Sequence, residues 1–169
     1  MVNCNKGCDM MIAIIAAYDK NRLIGKGGGM PWYIPGELKR FRRLTENNVV
    51  IMGRKTYLSL GKPLADRVNI IISRNENFAP DGCYTTSSIT GAIAMARLFW
   101  PDKDIFIGGG AQIYSQTIEM ADVLYITEID GEFEGDTYFP DFDESVFTKE
   151  IESHHESTVP YTYVTYKRK

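Results

Sequence analysis

Short apolar runs alternate with polar turns and helical patterns along the chain. Residues 11–17 are continuously apolar and contain three isoleucines, which is typical of a strand buried on both faces of a sheet. The runs at 49–52 and 69–73 predict two more buried strands. Further strands are predicted at 84–86, 104–107 and 123–129, with an antiparallel closing hairpin formed by 147–151 and 161–166.

Helical patterns lie between these predicted strands. Helices are expected from Gly36 onwards and at 56–60, 88–100 and 111–121. This alternation predicts a mostly parallel sheet with helices on both sides. Ligands in such sheets bind at the carboxyl ends of the strands, so glycine-containing turns at those ends are candidate binding elements. Three of them follow predicted strands, at 24–32, 53–56 and 108–111.

The stretch 24–41 joins a glycine-rich loop to a Pro-Trp pair and then to a short helix. Glu37, Leu38 and Phe41 share neighbouring directions on that helix. A carboxylate among apolar side chains is costly unless it is partnered or protonated. The alternative is a solvated glutamate in the first turn that interacts favourably with the helix dipole.

Basic residues that follow two of the predicted strands indicate an anionic ligand. Arg54, Lys55 and Thr56 follow Gly53 at a predicted strand-to-helix turn, where backbone N–H groups favour phosphate. Arg74 directly follows the third buried strand, and a base there suits the 2′-phosphate of NADPH. Each cation taken alone is better explained as a solvated surface residue, but together they favour an anionic dinucleotide as the ligand.

Composition narrows the class of protein further. The 169 residues suit one domain, with a flexible extension at 1–10 and the globular part at 11–169. A net charge of −3 gives no electrostatic support for nucleic-acid binding, and no apolar run reaches the length of a membrane span. Three cysteines without framework spacing (Cys4, Cys8 and Cys83) favour a reducing cytoplasm.

Other polar clusters offer little chemistry. His154 and His155 are interpreted as surface residues of a polar turn. Glu134 and Asp136 lie in an acidic loop at 131–140 that has too few ligands for a metal ion, so no metal site is predicted.

From residue 11 to about 167, many motifs follow one another in a recognisable order. They are residues 15–17, Ile24-Gly25, Met30-Pro31-Trp32, residues 35–41, residues 50–56, residues 61–64, Arg67, residues 69–71, Gly109-Gly110, Tyr114, Thr127, residues 134–137 and Phe139-Pro140. This series resembles the dihydrofolate reductase family. The resemblance implies an α/β fold with an eight-stranded, mostly parallel sheet, an antiparallel C-terminal strand and four helices. It also implies NADPH as cofactor, dihydrofolate and antifolate inhibitors as ligands, and a monomer.

Hydride transfer to C6 of dihydrofolate and proton delivery to N5 are the chemistry that the resemblance implies. The matching catalytic positions are Glu37, Trp32, Tyr114 and Thr127. The matching substrate positions are Ile15, Ala16, Ala17, Glu37, Leu38, Phe41, Leu60, Leu64, Arg67 and Thr127. The matching cofactor positions are Ala17, Ile24, Gly25, Lys26, Gly27, Gly28, Gly29, Met30, Gly53, Arg54, Lys55, Thr56, Ser73, Arg74, Gly109, Gly110, Ala111, Gln112, Ile113 and Tyr114. Residues 26–30 would be a mobile lid that Gly135 and Asp136 support.

Two positions depart from the family pattern, and two other functions stay open. Gly108 stands where the family usually has a bulky apolar residue, and Gly27 to Gly29 give the lid more glycine than usual. The alternatives are a related reductase of another pterin or a pyrimidine, and a nucleotide-binding module without catalysis. Arg67 favours a substrate with a glutamate-like carboxylate, whereas Glu37 argues against a purely binding role.

Overall fold

An eight-stranded sheet forms the centre of the protein, which a computed structural model describes from Met10 to Lys169. The strands are β1 (Ile12–Tyr18), β2 (Leu23–Gly25), β3 (Val49–Gly53), β4 (Val68–Ile72), β5 (Tyr84–Thr86), β6 (Ile105–Ile107), β7 (Val123–Ile129), β8 (Thr137–Tyr138), β9 (Phe147–His155) and β10 (Tyr161–Arg168). The helices are α1 (Glu37–Thr45), α2 (Arg54–Leu60), α3 (Ile89–Phe99) and α4 (Ala111–Thr117), with a 3-10 turn at Glu144–Val146.

The sheet has the order β5-β4-β3-β6-β1-β7-β10-β9, and β10 runs antiparallel to both of its neighbours. The other adjacent pairs are parallel. The predicted eight-stranded, mostly parallel sheet with an antiparallel C-terminal strand and four helices is therefore confirmed. Because β4, β3, β6 and β1 are parallel neighbours, the turns after them meet at one edge of the sheet, as the sequence predicted.

Strand β1 separates two hydrophobic clusters, one on each face of the sheet. Ile12 and Ile14 join the cluster that contains Val49 and Ile51, while alternate residues join the cluster on the other face. Ile14, Val49 and Ile51 have no exposed surface. The continuous apolar run of β1 is thus explained by burial on both faces.

Parts of the predicted secondary structure were wrong. Helix α4 ends at Thr117 and not near residue 121, because the chain then tightens into a turn in which the Met120 N–H donates to the Thr117 carbonyl at 3.1 Å. The acidic loop at 131–140 contains strand β8, which pairs with β2 in a separate two-stranded sheet.

The closing hairpin is longer than predicted. His154 and His155 therefore lie in strand β9 and not in a polar turn. His154 is exposed, but the half-buried His155 ring stacks on Tyr161 with ring centroids 4.9 Å apart. The two rings share a cross-strand contact, since His155 and Tyr161 are partners in the β9–β10 register.

The predicted extension at residues 1–10 is described only at its last residue. Met10 packs against the main hydrophobic cluster, while Cys4, Cys8 and the rest of residues 1–9 lie outside the described residues. Cys83 is a half-buried free thiol. Between residues 10 and 169, none of the helices has both the length and the apolar composition needed to cross a membrane.

Candidate active site

The Glu37 carboxylate lies between helix α1 and strand β7. Gly36 adopts a left-handed conformation (φ 87°) at the start of α1, and the Tyr161 hydroxyl anchors the preceding turn by donating to the Pro35 carbonyl at 3.1 Å. Thr127 of β7, which is fully buried, donates its hydroxyl to Glu37, with both carboxylate oxygens 2.9 Å away.

Burial raises the pKa of Glu37 above its ordinary value. The hydrogen bond from Thr127 and the positive charge of Arg40 act in the opposite direction but do not cancel the effect. The half-buried carboxylate is therefore held in place by a neutral hydroxyl and is easier to protonate than a glutamate in water. The solvated glutamate considered from the sequence is not what the structure shows.

Two of the expected substrate residues of β1, Ile15 and Ala17, lie on the same face of the sheet as Thr127. Ala17 of β1 is the register partner of Thr127, and Ile15 packs in the same hydrophobic cluster as Phe41 and Leu64. Ala16, also on β1, is buried on the opposite face, in the cluster of Ile14. The substrate positions expected on β1 therefore divide between the two faces of the sheet.

Two of the expected substrate residues are exposed. Leu38 keeps 74% of its surface exposed and Leu60 keeps 42%. The apolar face expected for Glu37, Leu38 and Phe41 is thus covered by protein only at Phe41, which is half-buried.

Trp32 is buried in a third hydrophobic cluster, which also contains residues of β7 and β10. Its ring meets Phe133 edge-on, with centroids 5.3 Å apart, and packs in a cluster with Tyr163 and Ala17. Its indole N–H is buried and has no acceptor among residues 10–169. A buried indole donor of this kind calls for a water molecule or a ligand atom as its partner.

The turns after β3 and β6 lie side by side. The Gly53 N–H donates to the Gly109 carbonyl at 2.8 Å, and the Gly108 N–H donates to Ile51 at 2.9 Å. Gly53 and Gly110 are the N-caps of α2 and α4, and neither supplies a side chain to the helix N–H groups. The first N–H groups of both helices are therefore available to an anionic ligand at this edge.

Close packing explains the glycines of the second turn. A Cβ atom on Gly109, whose φ is +114°, would lie 3.1 Å from the Tyr114 hydroxyl. Tyr114 is buried and donates to the Ile15 carbonyl at 2.8 Å, and burial raises the pKa of its phenol. Tyr114 therefore links the glycine turn to β1, between the expected cofactor and substrate positions.

The remaining expected cofactor residues lie along the same edge or next to it. Ser73 and Arg74 follow β4, the neighbour of β3, and Arg74 is exposed. Arg54, Lys55 and Thr56 form the first turn of α2. Ala111, Gln112 and Ile113 open α4, where the Ile113 side chain is 3.5 Å from the position of a Cβ atom on Gly53.

The expected lid is a tight turn fastened on two sides. Lys26 and Gly29 exchange backbone hydrogen bonds of 2.7 and 3.1 Å. Asp136 accepts from the Gly27 N–H at 3.3 Å, which matches the supporting role expected for its loop. The Ser59 hydroxyl of α2 donates to the Gly28 carbonyl. The lid thus contacts both the β8 side and helix α2, while Ile24 and Gly25 form strand β2 and Met30 stays exposed.

Comparison with known proteins agrees with this arrangement. Residues 11–168 match the family model described as dihydrofolate reductase. The chain belongs to the dihydrofolate reductase family. A dihydrofolate reductase of Bacillus subtilis is 37% identical over 163 residues, which cover 94% of this chain and 95% of that protein. A type A13 dihydrofolate reductase of Escherichia coli is 36% identical and covers 94% of each chain.

A solved structure has the same fold. The dihydrofolate reductase from Enterococcus faecalis complexed with NADP(H) and RAB-propyl superposes with a TM-score of 0.82 at 34% identity, covering 94% of this chain and 96% of that chain. The enzyme class expected from the sequence, an NADPH-dependent oxidoreductase that reduces dihydrofolate, is confirmed.

Gly108, which departs from the dihydrofolate reductase pattern, has a local explanation. A Cβ atom at this position would lie 3.3 Å from the Val50 side chain. A bulky residue would press on that valine, so the backbone turn is kept while the side chain is omitted.

Arg67 lies beside Phe41, one of the expected substrate residues. Its Nε and one Nη donate to the Ala65 carbonyl at 2.8 Å and to Thr45 at 3.1 Å. The guanidinium lies 5.9 Å from the Phe41 ring centroid. These contacts fix the side chain, while its other Nη makes no hydrogen bond to residues 10–169.

Sequence reasoning missed three side chains near Glu37. Arg40 is buried in α1, Tyr163 is buried in β10, and Glu152 reaches Arg40 from β9. Arg40 had a signal in the sequence, since a basic residue three positions after Glu37 shares its helix face. Glu152 had none, because its position depends on an irregular strand register.

Proposed function

We propose that this protein reduces 7,8-dihydrofolate to 5,6,7,8-tetrahydrofolate, with Glu37 as the group that handles the proton for N5. The observation that carries the proposal is the Glu37–Thr127 pair, in which one buried hydroxyl lies 2.9 Å from both oxygens of a carboxylate with a raised pKa. A carboxyl group with a raised pKa keeps its proton to higher pH than an ordinary glutamate and can release it to a bound base.

Glu37 has two tasks in this reaction. The carboxylate holds the 2-amino group and N3 of the pterin, which are hydrogen-bond donors that suit its two oxygens. It also raises the basicity of N5 or passes a proton to it through water. Thr127 orients the carboxylate, and the apolar surroundings of Ile15 and Phe41 maintain the raised pKa of Glu37.

The described residues fit NADPH. When bound, this cofactor supplies the hydride that C6 of the pterin receives. Gly53, Gly109 and Gly110 allow the backbones of the two turns to pack closely, and the N–H groups that open α2 and α4 suit a pyrophosphate. Arg54, Lys55, Thr56 and Arg74 would bind the phosphate groups, while Tyr114 would lie near both rings.

Arg67 would bind the α-carboxylate of the substrate's glutamate. Its fixed guanidinium suits a two-pronged contact with a carboxylate, which a pterin or pyrimidine without such a group cannot make. Antifolate inhibitors would occupy the same pocket. The enzyme acts as a monomer in the cytoplasm, where the free thiol of Cys83 stays reduced.

A direct assay tests the proposal. The purified protein is mixed with NADPH and dihydrofolate, and the loss of NADPH absorbance is followed. We expect oxidation that depends on dihydrofolate and that an antifolate blocks. Turnover with a pterin that lacks the glutamate tail but none with dihydrofolate would favour another reductase, and no turnover with either would contradict a catalytic role.

The cofactor assignment gives a separate prediction for Arg74. The variant Arg74→Glu should weaken NADPH binding by about ten- to a hundredfold and leave NADH binding nearly unchanged, because only NADPH carries the 2′-phosphate. Titration of protein fluorescence with each cofactor measures this. Arg97→Glu on the exposed face of α3 is a matched control for the change in net charge. Equal losses for both cofactors would remove Arg74 from the phosphate site.

A further inference from the structure

Arg40 is a buried charged side chain close to Glu37 that the reaction described above leaves without a role. It lies one turn after Glu37 in α1, and only 4% of its surface is exposed. Residues three apart on a helix share a face, so its guanidinium lies on the side of α1 that carries Glu37. Its positive charge lowers the pKa of Glu37, although burial, the larger effect, leaves that pKa raised overall.

The guanidinium of Arg40 lies between α1 and the C-terminal hairpin. It lies 4.1 Å from the centroid of the Tyr163 ring, a distance at which the ring face attracts a cation. Tyr163 is in turn the register partner of Thr127, the residue that holds Glu37. Glu37 therefore contacts β7 and Arg40 contacts β10 at two positions that lie directly opposite each other in the sheet.

Glu152 is the carboxylate that faces Arg40. The β9–β10 register slips between Tyr163 and Val164, and Glu152 is the additional residue of β9 at that slip. Such bulges redirect a side chain out of the regular alternation. One oxygen of Glu152 lies 3.3 Å from Arg40, and the other accepts a hydrogen bond from Thr165.

The charge of Arg40 is only partly compensated by this contact. A separation of 3.3 Å is long for a charge-assisted hydrogen bond, and the buried Nε–H of Arg40 has no acceptor among residues 10–169. The positive charge of Arg43 in α1 also lowers the pKa of Glu152. Tyr125 of β7 is close enough to the pair that Glu152 raises its pKa and Arg40 lowers it. The groups that face Glu37 itself are Arg40, Thr127 and Tyr163.

We propose that Arg40 and Glu152 form a positioning pair that sets the proton affinity of Glu37, with Glu152 drawing the charge of Arg40 away from the active-site acid. The role rests on the function proposed above for Glu37. Loss of the Glu152 charge leaves Arg40 free to stabilise ionised Glu37. Loss of the Arg40 charge has the opposite effect, because the remaining carboxylate at 152 then disfavours a second negative charge.

The test is a pH titration of the Glu37 carboxyl carbon by NMR in the full chain, assigned with Glu37→Gln. We expect Glu152→Gln to lower the pKa of Glu37 by about half a unit to one unit, and Arg40→Met to raise it by a similar amount. Glu150→Gln is the matched control on the same strand, since Glu150 pairs with Lys167 on the surface and should leave the titration unchanged. The pH dependence of kcat/KM should move in the same directions.

A simple structural tie between α1 and β9 predicts a different outcome. Both variants would then lower the melting temperature while the titration of Glu37 stayed where it was, and this result would overturn the proposal. Glu152→Gln keeps one oxygen that can accept from Arg40, and its amide NH2 can donate to the Thr165 hydroxyl, so its titration decides the question even if Arg40→Met does not fold. The titration needs no turnover, so a protein that fails to reduce dihydrofolate but shows opposite shifts would contradict the proposed function alone.

Discussion

Glu37→Gln is expected to lose about a hundredfold to ten-thousandfold of its turnover with dihydrofolate near neutral pH, the usual range for removing a general acid. Glutamine keeps an oxygen that can accept the Thr127 hydrogen bond, so the pocket should keep its shape. The amide cannot hold or release a proton at neutral pH. Steady-state turnover and a fluorescence titration with NADPH, made on the same preparation, separate the loss of catalysis from a loss of binding.

Glu46→Gln is a matched control for the loss of one negative charge from α1. Glu46 follows the C-terminal end of the same helix, is partly exposed and pairs with Arg42. Glu46→Gln removes the same charge from α1 but should keep turnover within about twofold of the parent, as expected for a surface site. Equal turnover of Glu37→Gln and the parent protein would exclude Glu37 from the proton step.

Gly135→Ala is expected to be the most damaging small change in the lid support. An added Cβ atom would overlap the Gly25 carbonyl oxygen and lie 2.8 Å from the Leu23 side chain. Backbone of β2 must then move, at a cost of about 2 to 3 kcal/mol of the free energy of unfolding. For a domain of this size we expect the melting temperature to fall by about 5 to 10 °C.

Turnover should fall as well in Gly135→Ala. The clash displaces the segment whose next residue, Asp136, donates its N–H to Gly25 at 3.1 Å and accepts from Gly27 in the lid. Gly131→Ala is the control in the same loop, because its Cβ atom would meet only the Phe133 ring, at 3.1 Å, and a ring can turn aside. Similar melting temperatures for the two variants would show that the close contact at Gly135 does not constrain the loop.

The sheet could be predicted from the sequence because its strands are buried on both faces. Runs such as 49–52, with branched apolar residues and a glycine directly after, leave little choice of secondary structure or of sheet type. Element ends were less predictable. Helix α4 ends early because residues 117–120 form a tighter turn, which no residue type in the sequence marks, and β8 forms because β2 lies opposite to it.

The sequence singled out the Glu37 carboxylate but did not show its environment. Glu37 could be singled out as an acid among apolar residues, and the glycine turns could be placed at strand ends. The strong exposure of Leu38 depends on how α1 is set over the sheet, which helical periodicity does not specify. Glu152 reaches Arg40 only because a register slip redirects it, and no residue type marks that slip.

The pH dependence of the reduction step tests the central role of Glu37 most directly. Single-turnover rates with saturating NADPH and dihydrofolate are measured for the parent protein and for Glu37→Gln from acid to alkaline pH. In the parent protein the rate should fall as pH rises through one ionisation above the ordinary range of glutamate, because the protonated carboxyl supplies the proton and burial raises its pKa. The variant should lack this ionisation. The same fall with pH in both proteins would contradict the account.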